Sequence, residues 1–124
     1  MTSPKKRIEA QMKTIEATVI LLKQKSGATQ LGALDLFYFL GCFSNGIAYD
    51  SLSKIWPNNS LDESLYLFEK LGLLDMSTPR KTLNRFLTNF VETSNFEHLN
   101  PILMTLIIKH YTELLESLHN RNVP

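Results

Sequence analysis

Residues 33–75 read ALDLFYFLGCFSNGIAYDSLSKIWPNNSLDESLYLFEKLGLLD, and this stretch decides the fold. Leu34, Phe37, Tyr38 and Leu40, with Leu31 just ahead of them, cover much of the circumference of a helix expected from about Thr29 to Gly41. A helix apolar on so many sides belongs in the middle of a core. Gly41-Cys42-Phe43-Ser44-Asn45-Gly46 breaks it, with Asn45 and Gly46 tolerant of positive φ. A short helix follows over about Tyr49–Trp56, with Leu52, Ile55 and Trp56 on one side, and Pro57-Asn58-Asn59 stops it. Ser60 with Glu63 three residues on is a capping-box pattern. The helix it opens, Leu61 to about Leu71, buries Leu65, Phe68 and Leu71.

Outward from this block the pattern stays mainly helical. Leu73-Leu74-Asp75-Met76 and Lys81-Thr82-Leu83, separated by Ser77-Thr78-Pro79, suggest a small two-stranded hairpin. Leu83, Phe86, Leu87, Phe90 and Val91 mark a further helix to about Ser94. Asn100 caps the last helix, with Pro101 at its first position, where a missing N–H costs nothing. Its expected inner face is Leu103, Leu106, Ile107, His110, Tyr111, Leu114, Leu115 and Leu118, running to about His119. Before the block, Ile8, Met12, Ile15, Val19 and Leu22 recur at steps of four and three over 5–25, ended by Ser26-Gly27. That row docks on the domain's own core or, having the a/d spacing of a heptad, pairs with a partner helix.

The fold class expected is therefore all-α: one domain over 1–124, with a first amphipathic helix (5–25), a winged-helix-like core with a small β-hairpin (30–94) and a last helix (100–119). At 124 residues the chain can bury a real core unaided. A net charge of +1 implies no field-driven attraction to nucleic acid or an acidic membrane. One cysteine, Cys42, allows no internal disulfide, and no apolar run reaches membrane-spanning length, so a cytoplasmic location is expected, with a nuclear one left open.

Leu36-Phe37, Leu40-Gly41-Cys42-Phe43, Gly46-Ile47, Leu52, Ile55-Trp56, Leu65 and Leu71-Gly72-Leu73-Leu74 together resemble the winged-helix segment of the STAND signal-transduction NTPases, which include NB-ARC proteins. Leu83–Glu92 and Ile108–Leu115 with His110-Tyr111 are similar to helices that follow there, so the likeness runs from Ala33 to about Leu118. It implies a winged helix in a regulatory, protein-associating role. The family's phosphate loop has no counterpart here. Gly27–Ala33 has the nearest spacing but lacks the lysine and the hydroxyl, and Asn84 stands where the family often places a nucleotide-sensing histidine.

No residues assemble into a catalytic, metal-binding or cofactor-binding pattern, and no small-molecule substrate is implied. Cys42, between Gly41 and Phe43, reads as a small core residue. His98, His110 and His119 lack a ligand spacing, and Asp62 and Glu63 are accounted for by the helix dipole. The expectation is a non-enzymatic adaptor without cofactors that binds a protein partner or itself through Ile8, Met12, Ile15, Val19 and Leu22. Phe39, Tyr49, Tyr66 and Phe96 are candidate exposed aromatics. The alternative is a nucleic-acid binder acting through Arg80, Lys81 and Arg85, joined by Lys5, Lys6 and Arg7 if the fold brings them together.

Overall fold

The computed structural model describes residues 4–24, 32–56, 60–94 and 101–122, with side chains of the last helix described to residue 120. Six helices occur among them: α1 (Pro4–Gln24), α2 (Ala33–Gly41), α3 (Tyr49–Ile55), α4 (Leu61–Lys70), α5 (Arg85–Thr93) and α6 (Pro101–Asn122). Each falls where periodicity places one. The ends expected at Thr29, Ser26-Gly27 and Asn100 lie outside the described residues, as do Leu31, Phe96 and His98.

α2 is the central helix, and α1, α4, α5 and α6 all pack on it. Leu36, Phe37, Phe39 and Leu40 have no exposed surface, so Phe39 is a core residue and not a free aromatic. Its ring meets Phe43 edge-on at 5.1 Å and Trp56 at 5.6 Å, tying the end of α2 to the end of α3. On the other side Phe37 lies 6.5 Å from Phe90 of α5. α5 comes closest where α2 has no side chain at all. A Cβ built on Gly41 would stand 2.5 Å from Val91, so this glycine is demanded by the approach of the two helices.

The turn after α2 closes with Gly46 N–H donating to the Phe43 carbonyl at 2.8 Å, and Gly46 sits at φ 76°, the left-handed region. α4 ends in a Schellman motif. Leu73 N–H donates to the Phe68 carbonyl (2.9 Å) and Gly72 N–H to that of Glu69 (3.1 Å), with Gly72 at φ 70°. This geometry corrects one expectation. Leu71, placed inside by period, is the cap residue turned outward and is exposed, while Leu73 beyond the turn is buried. Ser60 also departs from the capping-box reading. Its own backbone is already helical (φ −83°, ψ 0°), and its side chain makes no capping bond. The reciprocal bond of such a box occurs instead at α2, where Gly32 N–H donates to Asp35 Oδ2 at 2.9 Å.

The expected two-stranded hairpin is not formed as strands. Residues 73–75 and 82–84 run antiparallel with a single bridge, Leu74 to Leu83, supported by Asp75 N–H to the Thr82 carbonyl and Asn84 N–H to the Leu73 carbonyl, both 2.8 Å. A second bridge joins Ile47, between α2 and α3, to Lys81. The ladder goes no further because the chain between has other partners. The Asp75 carboxylate accepts from Ser77 N–H (3.0 Å) and Ser77 Oγ (2.6 Å), curling the segment, and Pro79 has no N–H to give.

Candidate interaction surface

The long helices overhang the core. α6 has 22 residues and α2 nine, about 33 Å and 14 Å of axis respectively, so α2 cannot cover the whole length of α6. Leu103, Leu106, Ile107 and His110 are buried. From Tyr111 to Asn120 every residue is exposed. Tyr111, Leu114, Leu115 and Leu118, expected on the inner face, are therefore outside. The period was right and the core ran out.

What α6 exposes is ordered. Met104, Ile108, Tyr111, Leu115 and Leu118 are spaced four, three, four and three, one continuous row beside the buried face, with Leu114 bridging the two. Ile108 and Leu115 keep 62% and 67% of their surface. Lys109, Glu113 and Glu116 project from the opposite side of the helix. The spacing is that of the first-helix row and is legible in the sequence, where it shares Tyr111, Leu115 and Leu118 with the expected inner face.

The predicted row on α1 is split by the same geometry. Ile15 and Leu22 are buried and Val19 packs against the core, whereas Ile8 and Met12 are exposed. Met12 lines a shallow groove of about 290 Å³ shared with Ile15 of α1 and with Phe86, Asn89 and Phe90 of α5. Only the outer end of the row is thus available to a partner.

The root of the α6 overhang is polar. His110 lies edge-on against Phe43 at 4.8 Å, and Tyr111 Oη donates to the Cys42 carbonyl at 3.1 Å. Cys42, Gly46, Arg80, His110 and Leu114 border one cleft of about 240 Å³, and Ser51, Lys54 and Leu114 another of about 280 Å³ on the far side of His110. Cys42 and His110 do not make an activated pair. Burial, with Glu92 nearby, pushes the thiol pKa up, which keeps it protonated. Burial pulls the His110 pKa down, seconded by Arg80 and opposed by Glu113. Among the described residues no cluster of His, Cys, Asp or Glu is placed to hold a metal ion, and no helix is long and apolar enough to cross a membrane.

The remaining candidates have local partners. Arg80 Nη2 donates to the Gly46 carbonyl at 3.0 Å, and Lys81 spends its backbone N–H and carbonyl on Ile47. Arg85 faces a separate polar hollow with Asp75, Asn89 and Glu92. Asn84 Nδ2 donates to the Gly72 carbonyl at 2.6 Å, joining the α4 exit to the start of α5. Tyr49 Oη donates to Asp62 at 2.6 Å, linking α3 to α4, and Lys70 lies over the Tyr66 ring at 4.6 Å. Lys5, Lys6 and Arg7 lie at the start of α1, whose main contact is α2. Comparison with protein-family models, with curated proteins and with solved structures finds no match for this chain.

Proposed function

We propose that this chain is a non-enzymatic helical adaptor that brings proteins together through the overhanging faces of its long helices. One observation carries the reading: α1 and α6 each bare large apolar side chains in a helical row beyond the reach of the core. Apolar surface grouped in this way marks a contact site, while singly scattered residues do not. The winged-helix expectation for the middle draws support from chain order. Helices α2, α3 and α4 are followed in the chain by the 73–84 reversal, the order such a module has. On this reading the middle is a scaffold resembling the regulatory module of STAND proteins, and the long helices are its contacts.

The nucleic-acid alternative rests on Arg80, Lys81 and Arg85. It is disfavoured because α4, the helix such a module would present to a groove, exposes Asp62, Glu63 and Glu69. The discriminating experiment is titration of labelled duplex DNA at about 50 and 200 mM salt, beside recovery of a protein complex in fixed stoichiometry. The adaptor reading expects a salt-tolerant protein complex, weakened by Ile8→Glu with Met12→Glu or by changes on the α6 row. Saturable DNA binding that falls steeply with salt and is lost in Arg80→Glu with Lys81→Glu, with no such complex, overturns it.

A further inference from the structure

We infer that the exposed row on α6 pairs with the same row of a second copy, so that the chain is a two-fold dimer joined helix to helix. This rests on the protein-association reading and gives that reading a definite partner. The first support is spacing. Met104, Ile108, Tyr111, Leu115 and Leu118 give five consecutive layers at heptad positions, the spacing at which knobs enter holes along one seam, here a short one of about two heptads. The second is area. Six large side chains (these five and Leu114), each about half exposed at roughly 200 Å² when free, offer at most about 600 Å² per copy. Full coverage in a pair buries at most about 1,200 Å², the lower edge of a stable specific interface.

The third support is charge. The row is flanked on one side by the core-facing residues and on the other by Thr105, Thr112 and His119. The carboxylates Glu113 and Glu116 and the ammonium of Lys109 lie on the far side of the helix. Two copies of α6 therefore meet without opposing like charges, which is the usual obstacle to pairing a helix with itself. A two-fold interface requires one self-complementary patch, and a row of similar apolar residues with neutral flanks satisfies that requirement. The α1 overhang does not, since Lys5, Lys6 and Arg7 crowd the outer end of its row and would repel their counterparts.

The test is the solution mass of the full chain by light scattering over a concentration series, at low and high salt. The expected result is twice the monomer mass, retained at high salt. Ile108→Glu with Leu115→Glu should return the mass to that of a monomer with the helical circular-dichroism signal intact, because both side chains are exposed. If that variant loses helix, the milder Ile108→Ser with Leu115→Ser gives the same readout. Tyr66→Glu, on the exposed face of α4, should leave the dimer unchanged. A wild-type monomer at every concentration overturns the inference, as does a dimer that survives both α6 pairs and dissociates in Ile8→Glu with Met12→Glu. In either case a stoichiometric complex with a different protein would leave the association reading standing; a monomer that forms no complex would remove both.

Discussion

α2 and α6 are both rich in large apolar residues, yet α2 hides nearly all of its own and α6 hides only Leu103, Leu106 and Ile107. The nine residues of α2 are surrounded by α1, α4, α5 and α6, so every turn has a neighbour. The 22 residues of α6 rest on the same short core by their first half only. Hydrophobicity sets which face of a helix is apolar. Burial depends in addition on how far the neighbours extend. An apolar face that outruns its neighbours is exposed in the isolated chain and is available to another molecule.

The sharpest way to break this contrast is to remove one large side chain from each helix and compare unfolding free energies. Phe39→Ala takes away a fully buried ring held between Phe43 and Trp56, and should cost about 3–5 kcal/mol, measured by urea unfolding. The Trp56 fluorescence should shift with it, since that ring loses its neighbour. A cost below about 1 kcal/mol would mean that α2 is not the centre of the core.

Gly41→Ala examines the same region from the opposite direction, by adding a methyl group. The added carbon meets Val91 at 2.5 Å, and neither the backbone of α2 nor that of α5 can yield cheaply, so a loss of about 1–3 kcal/mol is expected. Combining it with Val91→Gly, which removes the Cβ and both Cγ atoms that the added carbon meets, should recover part of that loss. A double-mutant cycle without coupling would show that α2 and α5 do not touch there.

The middle of the chain was legible because its rules are local. Alternating steps of three and four, Asn45-Gly46, Gly72 and Pro101 each act within a few residues and place all six helices. The misplacements share a cause, which is that they depend on what the rest of the chain supplies. Period places Leu71 inside because it carries no information on where a Schellman turn begins. Period places Leu115 and Leu118 inside as well, because no periodicity reveals the length of a neighbouring helix. Two short segments either side of Ser77-Thr78-Pro79 suggest a hairpin, but Asp75 and Pro79 divert the backbone hydrogen bonds that a ladder needs. Of the proposed contact row on α1, the spacing found the helix face, and the fold alone decided that only Ile8 and Met12 remain free of the core.

His110 marks the border between the two regimes, and pH probes it. Burial against Phe43 holds its pKa below the ordinary histidine value in the folded state. The unfolded chain therefore takes up a proton before the folded one does. The stabilising contribution is complete above the unfolded pKa, near 6.5, and is lost as pH falls through that value toward the folded one. Glu113 tempers the effect and Arg80 strengthens it. Thermal midpoints measured from pH 8 to pH 5 should decline more in the wild type than in His110→Gln; parallel curves would place this ring in contact with solvent.

The smallest effect is expected at Leu115, and its dependence on concentration carries the information. In the monomer Leu115 touches little, so Leu115→Ala should change stability by no more than about 0.5 kcal/mol when unfolding is followed in dilute solution. If α6 pairs with a second copy, the wild-type midpoint must rise with protein concentration, because association stabilises only the folded form. Leu115→Ala should flatten that rise while leaving the dilute value in place. The same side chain would then be nearly silent in folding and decisive in assembly. A midpoint that moves equally with concentration in both proteins would place the contact elsewhere. A dilute-solution loss as large as that of Phe39→Ala would mean that the far half of α6 is core after all.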